Sequence, residues 1–317
     1  MTSCVITGAG IAGLLAGRAL AGAGWRVTLL DKGFRPGGRM ATRRIGAAVF
    51  DHGAQFFTVR DPAFGSLVQS WTTSGLVDEW CRGFNADADG HGRYRAAAGM
   101  NSIPAALAEG LTILSGFRVD AIRPLNGRWA IHGSGQTLEA NALILTPPVP
   151  QSLAIVDAGQ VRIPSRLRDK LESIQYARCL AALVELREPS ELPAPGAIRP
   201  AQGPIAWLAD NQIKGISSSP ALTIHTTPEF SEAYWDTPDA ELARIILRTL
   251  PQFTEATPAG CTWHRWRYSQ PALVHPQRAL RIDDPAPLVF AGDAFGGPRV
   301  EGAALSGLAA ARMVLEG

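Results

Sequence analysis

The chain has 317 residues, 46% hydrophobic and 18% charged, with a formal net charge of +2. That composition belongs to a folded globular chain and argues against disorder, nucleic-acid binding and attachment to an anionic membrane surface. No apolar run reaches the length of a membrane span, and Cys4, Cys81, Cys179 and Cys261 are scattered without a C-x-x-C pair, so neither a metal site nor a disulfide framework is expected.

The first strand is expected at residues 4–7, which leaves no room for a signal-peptide layout and points to a cytoplasmic chain. Gly8-Ala9-Gly10-Ile11-Ala12-Gly13 follows, then a small-residue helix to residue 24, a second strand at 26–31 and an acid, Asp31, at its end. In this pattern Gly8 allows the tight turn, Gly10 lets backbone approach a pyrophosphate, and Gly13 lets the helix pack on the strand. Ala12 lies in the first helical turn, whose N–H groups and positive dipole end face the phosphates. Asp31, followed by Lys32, is placed to accept from an adenosine ribose. The unit binds an ADP-containing dinucleotide and does not by itself separate NAD from FAD.

Gly37-Gly38-Arg39-Met40 reads as a second phosphate-facing element, paired glycines baring backbone N–H groups and Arg39 adding charge. Residues 49–57 read as a strand running into a turn, where Asp51, His52 and Gln55 interrupt apolar residues and suggest a cavity lining. A helix is expected over 62–72, irregular strands and a Gly/Asp-rich loop over 75–94, and a short helix to residue 109. Four β-strands are expected at 111–114, 117–124, 128–132 and 137–140, and a buried fifth at 142–145 stops at Thr146-Pro147-Pro148. The crossing into a second lobe is placed at those prolines.

Beyond them, helices at 165–174 and 238–250 and strands near 178–187 and 221–226 are expected. As a strand, residues 261–268 put His264, Trp266 and Tyr268 on one face and Trp263, Arg265 and Arg267 on the other. One face can roof a ligand pocket, unless the aromatics simply pack against core. The chain then returns to the first lobe with a strand ending in Gly292-Asp293 and a glycine-rich entrance to the last helix, around Val300, Glu301 and Ala303.

An NAD-only dehydrogenase has no use for this carboxyl-terminal element, whereas FAD uses both ends. The first forty residues hold the ADP half, Asp293 accepts from ribityl hydroxyls, and the positive end of the last helix faces the flavin N1–C2=O edge. No second G-x-G-x-x-G with a following acid is present, so a nicotinamide dinucleotide reaches the flavin as a free substrate.

These motifs resemble those of the renalases, FAD-dependent oxidases of the amine-oxidase-like flavoprotein group, and of bacterial renalase-like members in particular. The resemblance is carried by Gly8–Gly13 with Asp31, Gly37-Gly38-Arg39-Met40, Gly53-Ala54-Gln55-Phe56-Phe57-Thr58-Val59-Arg60-Asp61, Gly99-Met100 and Thr146-Pro147-Pro148. It continues through Trp207-Leu208-Ala209, His264-Arg265-Trp266, Gly292-Asp293 and Arg299-Val300-Glu301-Gly302-Ala303. It implies an α/β fold of the p-hydroxybenzoate-hydroxylase and amine-oxidase architecture: a Rossmann-type FAD-binding domain (1–60, 98–148 and 276–317) and a mixed α+β substrate domain (61–97 and 149–275). It further implies non-covalent FAD and oxidation of 2- and 6-dihydro-NAD(P), with hydride passing to flavin N5, NAD(P)⁺ released and O2 reduced to H2O2. The alternative is an amine oxidase or desaturase acting on a small apolar substrate.

The cofactor residues so implied are Gly8, Gly10, Ala12, Gly13, Asp31, Lys32, Gly38, Arg39, Met40, Val119, Asp293, Val300, Glu301 and Ala303. Val119 is expected mid-strand, where relatives pair backbone with adenine. Gln55, Phe56, His264 and Trp266 are the candidates for the substrate face, while His52 and His275 are read as satisfied surface or core histidines. Amine-oxidising relatives carry a lysine near flavin N5. None of Lys32, Lys170 and Lys214 is expected there, Lys214 being read as part of a polar loop.

Overall fold

The computed structural model describes residues 2–84 and 89–316, so part of the loop expected within 75–94 lies outside the described residues. The chain divides into two compact units, Met1–Arg39, Ile103–Tyr176 and Gln270–Gly317 forming one, and Met40–Ser102 and Ala177–Ser269 the other.

The first unit is built on a six-stranded sheet in the order Leu280–Ile282, Leu288–Phe290, Ala142–Leu145, Ser3–Thr7, Arg26–Asp31, Thr112–Ser115. Its neighbours pair in parallel except for the antiparallel edge strand Leu280–Ile282. The inner strands Ser3–Thr7, Ala142–Leu145 and Leu288–Phe290 are buried throughout, as expected of a sheet covered on both faces. Val5, Leu30, Leu143, Leu145 and Phe290 share a core with Ile122, Trp129 and Ile131 of an antiparallel three-stranded sheet. The alternate residues Ile6 and Leu29 meet the helix Ile11–Gly22, where a Cβ on Gly17 would lie 3.2 Å from Leu29 Cδ1 and 3.6 Å from Ile6 Cδ1. The last helix, Arg299–Leu315, packs on the first so tightly that a Cβ on Gly307 would stand 2.1 Å from the Ala12 carbonyl oxygen.

The strand Ala142–Leu145 does end at the paired prolines, but the chain does not leave the unit there. Pro148 and Pro150 open the helix Val149–Ala158, since a proline in the first turn gives up an N–H that no helical carbonyl would have received. That helix returns to the three-stranded sheet, where a Cβ on Gly159 would clash at 1.6 Å with the Ile122 carbonyl oxygen. Residues 149–176 therefore belong to the first unit, and 40–60 to the second.

The second unit has a five-stranded sheet in the order Ala197–Ile198, Ile205–Asp210, Ala221–Thr226, Tyr176–Leu186, Pro258–Pro271. One core packs Leu180, Ala182, Val184, Leu222, Ile224 and Trp263 against Leu242 and Ile246 of the helix Asp239–Leu247. The hairpin of Thr42–Ile45 with Ala48–Asp51 and the helix Pro62–Thr73 belong to the same unit. The α/β chain with a Rossmann-type unit and a second, mixed α+β unit is the expected fold class.

Candidate functional site: a dinucleotide cradle and a polar turn

In the first unit the loops at the carboxyl ends of the parallel strands converge. The sheet order reverses beside Ser3–Thr7, and this is where open α/β sheets take their ligands. Gly8 has a φ of +92°, and a Cβ there would sit 2.5 Å from Thr146 Oγ1. Thr146 in turn donates from Oγ1 to the Thr7 carbonyl at 2.6 Å. A Cβ on Gly13 would stand 2.0 Å from the Gly8 carbonyl oxygen, so helix and loop touch as the motif requires. Gly10 is different. Its φ is −78° and a Cβ would meet nothing within 4 Å, so neither backbone nor packing demands glycine there. The space it leaves lies at the first turn of a helix with no side-chain cap, which fits a pyrophosphate.

Asp31 takes part in holding this loop. One carboxylate oxygen accepts from the Ala9 N–H at 2.5 Å and the other from the Gly33 N–H at 2.7 Å. Gly37 donates to the Ala9 carbonyl at 2.9 Å, which lays the second glycine element on the first. Arg39 joins both to the far end of the chain through a two-pronged pair with Asp293, at 2.6 and 2.7 Å. Behind Asp293, Gly292 N–H donates to Ser306 Oγ at 2.8 Å. Val300 is buried, and Glu301 and Ala303 are half-buried in the first turns of the last helix, which also lacks a side-chain cap. Glu301 is well placed there against the helix dipole. Ala12 and Met40 are buried and Lys32 is exposed. Val119 is not mid-strand: it opens the strand Val119–Leu125, opposite Gly133, just before a register shift.

In the second unit the residues 51–55 form a turn fixed from several sides. Asp51 and Lys214 are fully buried side chains joined at 2.7 Å. Lys214 Nζ also donates to the Gln55 carbonyl at 2.6 Å. The other Asp51 oxygen accepts from Thr42 Oγ1 at 2.6 Å and the Met100 N–H at 2.8 Å. Gly99 makes that last contact possible: its φ is +98°, and a Cβ would stand 2.8 Å from Thr42 Cγ2. The His52 carbonyl accepts from Trp266 Nε1 at 2.8 Å and from His225 Nε2 at 3.0 Å.

Three rings gather on this turn. His52 stacks on Trp266 with centroids 5.3 Å apart and meets His264 at 4.7 Å, while His264 and Trp266 are 4.1 Å apart. Burial, reinforced by His264, His225 and Arg43, lowers His52 to about 3. Burial lowers His225 to about 4 and moves His264 downward as well. These imidazoles are neutral near pH 7. Burial also pulls the Lys214 ammonium below the usual lysine value, against the opposing charge of Asp51.

His264 and Trp266 thus lie together, on the opposite strand face from the core residue Trp263. Gln55 is buried on the adjoining turn, and Phe56 packs with Trp80, Phe84 and Trp207. Two readings are corrected. Lys214 is no polar-loop lysine but a buried cation, and His52 is no satisfied structural histidine, since its Nδ1 has no partner among the described residues. His275 does behave structurally, its Nδ1 accepting from the Gln277 N–H at 3.1 Å. Asp51, Thr42 and Lys214 were missed as a group. The available signal was Lys214 itself, one of only three lysines in a chain whose basic residues are otherwise all arginine.

Among the described residues no group of His, Cys, Asp and Glu could hold a metal, and no helix is long and apolar enough to cross a membrane. No cysteine lies in the segment that carries Gly292-Asp293 and the last helix. Burial raises the thiols of Cys179 and Cys261 to about 12 and moves those of Cys4 and Cys81 upward, so none is a ready nucleophile for a flavin ring.

Residues 6–71 match an NAD(P)-binding Rossmann-like domain, and residues 78–315 match the flavin containing amine oxidoreductase family. Mouse (Mus musculus) renalase is 24% identical over 161 residues, 48% of this chain and 47% of its own length, so the match spans about half of that relative. Among solved structures, a putative protoporphyrinogen oxidase from Exiguobacterium sp. 255-15 superposes with a TM-score of 0.79 at 15% identity, covering 100% of this chain and 99% of that one. Wild-type putrescine oxidase bound to putrescine superposes with a TM-score of 0.74 at 17% identity, covering 100% and 99%. At such identities these likenesses speak for the fold alone. With a family match over most of the chain and a cradle shaped for a dinucleotide, the chain belongs to the flavin containing amine oxidoreductases and its cofactor is non-covalent FAD.

Proposed function

We propose that this flavin oxidoreductase oxidises dihydronicotinamide dinucleotides reduced at the wrong ring position, the 2- and 6-dihydro isomers of NAD(P), and acts in the cytoplasm. The observation that carries this reading is the group of neutral rings formed by His52, His264 and Trp266. A dihydropyridine expels hydride with its own ring-nitrogen lone pair, so it needs flat faces, dryness and orientation rather than a base. FAD, when bound, supplies the hydride acceptor at N5 and passes the electrons to O2 as H2O2. Trp266 and His264 offer faces for the substrate ring, Gln55 a polar contact, and Phe56 a half-buried apolar wall. The likeness to renalase over half the chain supports the same substrate class.

For the cradle, we propose that Gly8, Gly10, Ala12, Gly13, Gly38 and Arg39 hold the pyrophosphate region and that Asp31 and Lys32 lie toward the adenosine ribose. Met40 and Val119 complete the ADP side, and Asp293, Val300, Glu301 and Ala303 serve the ribityl and ring side.

The test is anaerobic mixing of the oxidised holoprotein with each isomer. Rapid loss of flavin absorbance is expected, and no loss with any of them overturns the proposal.

A second reading, oxidation of an amine or another small apolar molecule, is favoured by one observation. The family model that matches residues 78–315 is that of the flavin containing amine oxidoreductases. Against an alkylammonium substrate, the Asp51 carboxylate is already taken by Lys214, Thr42 and Met100. A hydrogen-peroxide screen across mono- and diamines separates the two readings.

A further inference from the structure

The turn that bears His52 also carries an unanswered hydrogen-bond acceptor. Gln55 is 6% exposed, and its Nε2 donates to the Asp51 carbonyl and, at 3.3 Å, to the Gly53 carbonyl. Two carbonyl oxygens on the same amide end fix its orientation, because only the –NH2 group can donate to both. Oε1 is therefore the opposite end, and it is buried with no partner among the described residues. A buried carbonyl oxygen left without a donor is unfavourable by roughly 1–3 kcal/mol, so such an atom points to a ligand that donates.

The turn cannot readily swing to find a donor elsewhere. Lys214 grips its Gln55 carbonyl and its Asp51 carboxylate, and Trp266 and His225 both donate to the His52 carbonyl between them. The free acceptor is thus presented by a rigid segment whose next polar side chain, His52, stacks on Trp266. A nicotinamide ring is a flat heteroaromatic with one primary amide, and that amide carries N–H donors.

We propose that Gln55 Oε1 accepts an N–H from the 3-carboxamide of the substrate ring and so makes Gln55 the residue that selects carboxamide-bearing dihydropyridines. This rests on the dihydronicotinamide reading above. It predicts discrimination against rings whose substituent accepts but cannot donate, such as the 3-acetylpyridine analogue, and against the 3-carboxylate.

The experiment compares carboxamide and acetyl dinucleotides on the holoprotein and on Gln55→Met, which keeps the length and removes both polar ends. Two quantities are read: the rate of anaerobic flavin reduction by the 2- and 6-dihydro forms, and the Kd of the oxidised forms from perturbation of the flavin spectrum. The wild-type protein is expected to prefer the carboxamide by roughly tenfold, and Gln55→Met to lose most of that preference. Taking the ratio of ratios removes the intrinsic difference in hydride donation between the two rings. Equal Kd values for the two oxidised dinucleotides on the wild-type protein overturn the proposal even where Gln55→Met does not fold. An undiminished preference in a folded Gln55→Met overturns it too. Failure of every dihydronicotinamide to reduce the flavin sinks the parent reading together with this one, whereas reduction without carboxamide selection sinks only the role of Gln55.

Discussion

Arg39 and Asp293 stand 254 residues apart in the chain and are joined by two hydrogen bonds of 2.6 and 2.7 Å between guanidinium and carboxylate. The pair is half-buried to buried, so it carries more weight than an exposed ion pair. It ties the Gly-Gly-Arg segment to the Gly-Asp segment, two pieces of one cradle. Asp293→Ala is expected to weaken FAD binding by roughly tenfold or more, read by flavin-fluorescence titration. Arg39→Lys is expected to rescue little, because one ammonium cannot reproduce the two-pronged contact. Wild-type affinity in both variants would overturn this account.

Gly10 and Gly13 separate cofactor binding from folding. Gly13→Ala drives a methyl to within 2.0 Å of the Gly8 carbonyl oxygen and is expected to lower stability by about 1–3 kcal/mol or more. Gly10→Ala meets no protein atom within 4 Å and leaves φ unstrained, so stability without FAD is expected to hold or rise slightly. Its flavin affinity is nevertheless expected to fall. Urea unfolding of the apoprotein beside an FAD titration reads both, and a Gly10→Ala protein with normal affinity would remove the pyrophosphate from that space.

Lys214→Met leaves the Asp51 carboxylate buried without its cation. A loss of about 3–5 kcal/mol is expected, and the double variant Lys214→Met/Asp51→Asn is expected to regain a good part of it. Thermal unfolding of the three proteins checks this. An additive double variant would mean that the pair does not act as a unit.

The histidines around the turn set an acid limit. His52, at about 3, and His225, at about 4, lie below the imidazole value of about 6.5 in an unfolded chain. The unfolded chain therefore takes up protons first as pH falls. Stability is complete above about pH 6.5 and declines below it, by up to about 1.4 kcal/mol per pH unit for each histidine until its own folded value is reached. Denaturant midpoints at pH 7, 6 and 5 should fall in that order, and a flat series would contradict neutral burial.

Along the strand Pro258–Pro271, neighbouring aromatics do different work. Trp263 sits in the sheet's core, whereas His264 and Trp266 meet His52. Trp263→Ala is expected to destabilise by about 3–5 kcal/mol. His264→Ala is expected to retain FAD while slowing anaerobic flavin reduction. An unchanged reduction rate removes His264 from the site.

How much of this was legible in the sequence depends on the range of the interactions. The first strand, loop, helix and second strand are local, each residue answering to its near neighbours, and they lie where the glycine spacing puts them. The period-two reading of 261–268 also holds, with core packing on one face and the candidate site on the other. The proline pair misled because Pro147-Pro148 ends a strand and opens a helix by the same loss of an N–H, and only packing against Ile122 decides where the chain goes next. The Asp51–Lys214 pair was invisible because its members are 163 residues apart and a lysine among polar neighbours reads as solvated until a fold encloses it. Phe56 illustrates the same point: its partners Trp80, Phe84 and Trp207 come from distant segments.

The contact between Gly307 and Ala12 makes the nucleotide-binding loop depend on a distant part of the chain. The face against which the first helix rests, and the Ser306 hydroxyl that holds Gly292, both belong to the helix Arg299–Leu315, far along the chain from the glycine loop they back. A chain in which those two helices have separated loses the backing of its flavin cradle, so bound FAD is expected to hold that seam closed.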